Sequence, residues 1–242
     1  MSKMEKAEYI LEQIRLQIAK GDYVRAFIVS KKINRKVLQE ADFQETKCRF
    51  FRMMVQYYTH EKDTFELFNC YHAIYNTPMV QEEEAKWKDV LPFAVVFLAL
   101  SKYDKDTHNF MQLLNADEKL KQLPMFAALV KHFCTQEVIA YPVPDGVQQA
   151  FEAHSVLSEH EHAAEWRELL HTRIVEHNIR IIAGYYKRVQ MGHLSSMLGL
   201  SAADAEKHIS TLVTNGTIFA RMDRPAGVIT FQKPVSAGAS DE

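Results

Sequence analysis

The sequence predicts a mainly α protein: a right-handed helical-repeat solenoid of the TPR/HEAT kind that runs into a C-terminal winged helix. Three observations carry this expectation. Glycine (8) and proline (7) are scarce in 242 residues, about half their average usage, so tight turns are few and helices long. Helical pairs begin near residues 5, 43, 82 and 118, in steps of 38, 39 and 36. A near-constant step of this size marks stacked hairpins, each burying one face on the next. After residue 190 the pattern changes to short helix, turn, helix and hairpin, the order of a winged helix-turn-helix.

In the first pair, Ala7, Ile10, Leu11, Ile14 and Ile18 fall on one helical stripe. Gly21 is the expected C-cap and Asp22 the next N-cap, so the chain turns at once into a second helix over 23–33. Asp42 is expected to start a helix through Tyr58, and Asp63 to cap one that ends near Asn76, Thr77 and Pro78. Glu82 opens the third pair, with helices through Leu100 and over 106–114. A shorter fourth pair starts near Glu118 and is interrupted by Pro124. Two prolines and a glycine in residues 141–146 break the chain. Polar helical sequence follows over 147–165, then the most helical stretch of all, 166–189.

In the last part, residues 193–198 read as a short helix and Gly199, Leu200 and Ser201 as a turn. Ser201 and Asp204 form an S-x-x-D start for a helix to Asn215, with Ala205, Ile209, Leu212 and Val213 facing inward. Gly216 stops it. Residues 217–222 and 228–232 alternate as strands, with a further short one near 189–192. The expected division is a repeat arm over 1–141, connecting helices over 142–170, the winged helix over 171–233 and a disordered tail over 234–242.

Composition narrows the function. Hydrophobic residues make up 47% and charged residues 25%, with a net charge of −2. This is a globular composition with no global basic field to draw nucleic acid or an anionic membrane. The longest apolar run, residues 91–100, is about half what a membrane span needs and reads as a buried helix. No secretory leader is visible at the N-terminus. Cys48, Cys70 and Cys134 are odd in number, match no zinc spacing and suit a reducing compartment.

Five histidines, His154, His160, His162, His171 and His177, raise the question of a metal. HExxH fails because Ala164 stands where its second histidine should be. His160 and His162 supply the H-x-H of a metal-dependent deubiquitinase, but Leu170 and Arg173 occupy the serine and aspartate positions. Solvated helix histidines are the expectation, and no metal or other cofactor. No G-x-S-x-G, P-loop or G-x-G-x-x-G occurs, so no catalytic residue is assigned.

Nucleic-acid binding is the rival that a winged helix raises. Residues 171–233 hold 8 basic and 4 acidic residues. Yet the helix that would enter a groove presents Asp204, Glu206, Lys207, Ser210, Thr211 and Thr214, which lacks a base-reading set. The positive charge sits at Arg173, Arg180 and Lys187, spaced by seven on the preceding helix, and at Arg221 and Arg224 beside the wing. Such a stripe suits acidic protein neighbours as well as phosphates.

A helical arm that runs directly into a winged helix resembles the PCI-domain family. That family is shared by the proteasome lid, the signalosome and the translation initiation factor three scaffold. Within it, residues 9–34, 72–78, 173–186 and 215–232 are similar to a lid scaffold subunit. The likeness covers nearly the whole chain except residues 135–165. It implies a non-catalytic scaffold of the proteasome regulatory-particle lid in ubiquitin-dependent degradation, in cytoplasm and nucleus. Its partners would be other PCI-containing lid subunits and neighbouring proteasome subunits, with no membrane and no small-molecule substrate. The alternative is the paralogous signalosome scaffold. Family members are longer at both ends, so the chain is expected to be a fragment or a short form. In the family, winged helices line up side by side while the arms grip neighbours. An unpaired wing edge can accept a neighbour's strand, which marks Thr217, Phe219, Arg221 and Arg224 as the partner-binding residues, with Arg173, Arg180 and Lys187 beside them.

Overall fold

The computed structural model describes residues 2–144 and 146–231. The expected tail at 234–242 lies outside the described residues, as does the last strand residue expected, Gln232. The chain forms two compact units, Met1–Lys102 with Ala116–Phe126, and Tyr103–Asn115 with Ala127–Glu242.

The first unit is a stack of helical hairpins: α1 (Lys3–Ala19), α2 (Tyr23–Ser30), α3 (Gln44–Glu61), α4 (Thr64–Tyr75), a single turn α5 (Pro78–Gln81) and α6 (Glu84–Leu100). Short polar side chains cap three of these helices, α1, α2 and α4. Ser2 Oγ accepts from the Glu5 N–H at 3.1 Å while the Ser2 N–H donates to Glu5 Oε2 at 2.7 Å, a complete capping box. Asp22 accepts from the Arg25 N–H and Asp63 from the Glu66 N–H. Gly21 ends α1 at φ +73°, a conformation that other residues seldom adopt. The helix expected from Asp42 begins two residues later, at Gln44, because Ala41–Phe43 forms a 3₁₀ turn. Ile10, Leu11, Ile14, Phe50 and Met54 meet in one core. Helix α6 is apolar nearly all round, and within residues 91–100 all but Phe93 are buried. Among the described residues no helix is long and apolar enough to cross a membrane.

The second unit holds α7 (Lys105–Asn115), most of α8 (Pro124–Cys134), α9 (Val147–Glu152), α10 (Ser155–Ser158), α11 (Ala163–Tyr185) and the winged helix. Pro124 does not interrupt a helix; it opens α8, where its missing N–H has no role to lose. The polar stretch 147–165 forms two short helices and the start of α11. The break falls at Ala153–His154, where His154 Nδ1 accepts from the Val156 N–H to start α10. The long helix runs from Ala163 and stops at Tyr185, so Val189 belongs to a strand.

Side chains of α11 hold the preceding extended segment by its backbone. Asn178 Nδ2 donates to the Ile139 carbonyl and Asn178 Oδ1 accepts from the Ile139 N–H, both at 2.8 Å. His177 Nε2 lies 3.0 Å from the Glu137 carbonyl oxygen. The Tyr185 hydroxyl donates to the Gln136 carbonyl at 3.3 Å. The buried Ile139 thereby gains partners for backbone groups that would otherwise be unpaired.

The winged helix consists of β1 (Arg188–Gln190), α12 (Met191–Leu198), α13 (Ala202–Thr214), β2 (Arg221–Asp223) and β3 (Val228–Thr230). Its core joins Val175, Ile179 and Ile182 of α11 to Leu194, Ala205, Ile209, Leu212 and Ile229. Val213, expected inward, is 37% exposed, because α13 turns a narrower apolar face to this core. The strand expected over 217–222 starts only at Arg221.

Candidate partner-binding surface

The wing closes on a turn. Asp223 Oδ1 accepts from the Ala226 N–H at 3.2 Å, and Gly227 takes φ +63°. Strand β3 is central: Val189 of β1 lies opposite Ile229 on one side and Met222 of β2 on the other, both antiparallel. Among the described residues, neither β1 nor β2 meets a further strand.

Two bonds that flank the β1–β3 ladder fix what these edges present. The Phe231 N–H donates to the Lys187 carbonyl and the Met191 N–H to the Gly227 carbonyl. Antiparallel pairs alternate between bonded and non-bonded, so Val189 and Ile229 form a bonded pair. Val228 and Thr230 then turn their N–H and C=O groups toward β2, and Met222 turns its own outward. On the far side, Arg188 and Gln190 turn theirs outward. Each edge therefore offers a short donor–acceptor row, with charge beside it: Arg221 and Asp223 on β2, Lys187 and Arg188 on β1.

The residues singled out in the sequence are divided by the structure. Thr217 and Phe219 are half-buried in the irregular stretch between α13 and β2, not in a strand. Ile218, Ala220 and Met222 pack on the winged-helix core, while half-buried Phe219 is not among the side chains that do. Arg221 is exposed. Arg224 is exposed too, but its Nε and Nη2 both donate to Glu206 Oε1 of α13, at 3.1 and 2.6 Å. The spacing in sequence gives no sign of this pair.

The stripe at Arg173, Arg180 and Lys187 is not a surface stripe. Heptad spacing keeps Arg173 and Arg180 on one flank of α11, and the unit covers that flank. Arg173 is buried and bonded to Glu176 at 2.6 Å. The Arg180 guanidinium lies 3.4 Å from the centroid of the Tyr103 ring, and burial pulls its pKa down. Only Lys187, past the end of the helix, reaches solvent freely.

The histidines also part company. His160 and His162 sit with their rings 5.4 Å apart, both against Trp166. His171 packs on Tyr141. His177 is buried rather than solvated, and burial pushes its pKa down to about 4. Among the described residues no three His, Cys, Asp or Glu side chains group as a metal site would require.

Comparison with known proteins agrees with the architecture. Residues 1–83 match the family described as PSMD12/CSN4, N-terminal, and residues 151–233 match the PCI domain. The 26S proteasome regulatory subunit rpn501 of Schizosaccharomyces pombe is 34% identical over 232 residues, 95% of this chain and 52% of that protein. The 26S proteasome regulatory subunit RPN5 of Saccharomyces cerevisiae is 35% identical over 241 residues, 97% of this chain and 53% of that protein. COP9 signalosome complex subunit 4 of Drosophila melanogaster is 22% identical over 226 residues, 92% of this chain and 53% of that protein. The chain spans about half the length of the curated relatives it matches. The similarity to the PCI-domain family expected from the sequence is thus found at both ends of the chain. The winged helix falls within the segment that matches the PCI domain.

Proposed function

We propose that the chain is a non-catalytic scaffold subunit of the proteasome regulatory-particle lid, acting in ubiquitin-dependent protein degradation by PCI-mediated assembly. The observation that carries this reading is the identity of 34–35% to proteasome regulatory subunits over 95–97% of the chain. The winged helix supports it with a mechanism. Its sheet ends in edges whose outward N–H and C=O groups can take a neighbour's backbone. Each added backbone bond contributes only ~0.5–1.5 kcal/mol net, so side-chain packing beside the edge must supply much of the binding. Phe219 is the apolar group best placed to do so, with Arg221 at the rim. The partners are other PCI-containing lid subunits, and the sites of action are cytoplasm and nucleus.

The test is affinity purification of the tagged chain from its own cells, with the co-purifying subunits identified. Lid subunits are expected, and Phe219→Asp should reduce their yield while the circular dichroism spectrum stays unchanged. Signalosome subunits in their place would move the assignment to the paralogous complex, to which the N-terminal match also extends by name. Phe219→Asp entering the complex at wild-type level would remove the wing from the contact surface.

A further inference from the structure

A second surface lies in the first unit. The opening turns of α1 and the connection between α2 and α3 enclose a groove of about 190 Å³. Its floor is apolar, formed by Ala7, Ile10, Ile33 and Leu38, with half-buried Val37 at its side. Lys3, Lys6 and Lys32 stand on its rim.

The charge around it is one-sided. Residues 31–36 hold four cations, Lys31, Lys32, Arg35 and Lys36, and no acid, in a chain whose net charge is −2. Lys3 is bonded to Glu40 at 3.0 Å, and the Lys31 ammonium lies 4.3 Å above the Phe27 ring. Lys6, Lys32, Arg35 and Lys36 are exposed and make no ion pair among the described residues. Of these, Lys6 and Lys32 line the groove, and exposed cations without an ion pair gain from an anionic partner.

The chemistry of the partner follows from how charge and apolar surface are arranged. A phosphate ligand needs donors that converge. Here the cations stand apart across an apolar floor, and Ser2 and Glu5 already cap the α1 N-terminus, leaving no helix-end anion site. A nucleic acid would find too few cations for a backbone track and no aromatic platform. We infer that this groove docks an acidic segment of a partner protein, with one apolar side chain seated between Ile10, Ile33 and Leu38 and flanking Asp or Glu residues on Lys6 and Lys32. It is a contact of the arm, independent of the wing edge and of which complex the chain enters.

The experiment uses the full chain and a displayed library of random dodecapeptides. Selection on the wild-type chain is compared with selection on the Lys6→Glu/Lys32→Glu variant. Both lysines are exposed, so the variant should fold, which circular dichroism checks. The expected result is enrichment, on the wild type alone, of sequences with one Leu, Ile or Phe among acidic residues. By fluorescence anisotropy an enriched peptide should then bind about tenfold more weakly when its apolar residue becomes Ala, or when the chain carries the double variant. Equal selection by both chains, or enrichment with no acidic bias, overturns the inference. So does an unchanged affinity for the Ala peptide. Tighter, lysine-dependent binding of a 20-nucleotide RNA or of phosphatidylserine vesicles would overturn it in favour of a phosphate ligand.

Discussion

The hairpins of the first unit and the middle of α11 in the second both bury their helices, but by opposite means. In the hairpins the largest fully enclosed side chains are apolar, Leu11, Ile14, Phe50, Leu67 and Phe68 among them, with Ser30, Thr46 and Lys47 as scattered polar exceptions. In α11 a run of polar side chains, Arg173, Glu176, His177 and Asn178, is buried among the apolar ones. Apolar burial is graded and tolerates substitution of similar volume. Polar burial is conditional, since each group is costly unless its partner is present. The hairpin cores therefore depend mainly on volume, and the middle of α11 on specific bonds as well.

The sharpest way to break this contrast is a pair of substitutions read by urea denaturation. Phe50→Ala should cost about 3–5 kcal/mol, from lost transfer free energy and the cavity left behind. Phe50→Leu should recover most of that. Asn178→Ala leaves the buried N–H and C=O of Ile139 without partners, at about 1–3 kcal/mol for each unsatisfied group. Asn178→Leu nearly restores the volume and should not restore the stability. If Asn178→Leu is as stable as wild type, the segment at 136–139 is held by packing and the two regions do not differ in kind.

A smaller effect sharpens the same point through pH. His177 is 2% exposed, and burial holds its pKa near 4, with Arg180 and His132 pushing the same way. The hydrogen bond to Glu137 opposes them only in part. The folded state therefore binds the proton less readily than the unfolded chain. This contribution is fully present above the usual histidine range near pH 6.5 and is lost as pH falls toward 4. Between pH 7 and pH 5 one such group should cost roughly 2 kcal/mol. Replacing it by Gln, which can still reach the Glu137 carbonyl, should remove that part of the slope. His72, His160 and His208 are also held low by burial, so the measurement is the difference between wild type and His177→Gln.

The same contrast explains what could be read from the sequence. Apolar period, caps and step length are local, so α1 to α4, α6 and the order of the winged helix are visible in the residues themselves. Asp22, Asp63 and Ser201 announce their helices one turn ahead. Partnerships between distant polar residues carry no periodic signal. Asn178 and Ile139 lie 39 residues apart, and Arg224 and Glu206 lie 18 apart. That is why the heptad stripe of Arg173, Arg180 and Lys187 reads as surface although the fold encloses two of its three members. It is also why β2 is shorter than its alternation suggests. Residues 217–220 alternate, but among the described residues the pairing of β2 with β3 begins only at Arg221 and Thr230.

The smallest expected effect concerns the wing, where charge is neither buried nor conditional. The Arg224 side chain is 78% exposed, and its bond to Glu206 is screened by solvent. Arg224→Ala should leave the denaturation curve unchanged within error, unlike either substitution above. Under the function proposed above, its consequence belongs to assembly. An exposed charge at the edge of a contact surface acts on encounter more than on the bound state. With Arg224 removed, Glu206 adds an unpaired negative charge to the face of α13. Association with an isolated neighbouring lid subunit, followed by surface plasmon resonance, should then slow about two- to fivefold at low salt, and the difference should vanish as salt rises. The dissociation rate should not change. A faster dissociation with an unchanged association rate would mean that Arg224 leaves Glu206 on binding and enters the buried centre of the contact. The wing would then resemble the middle of α11, where polar groups carry the structure only while their partners are present.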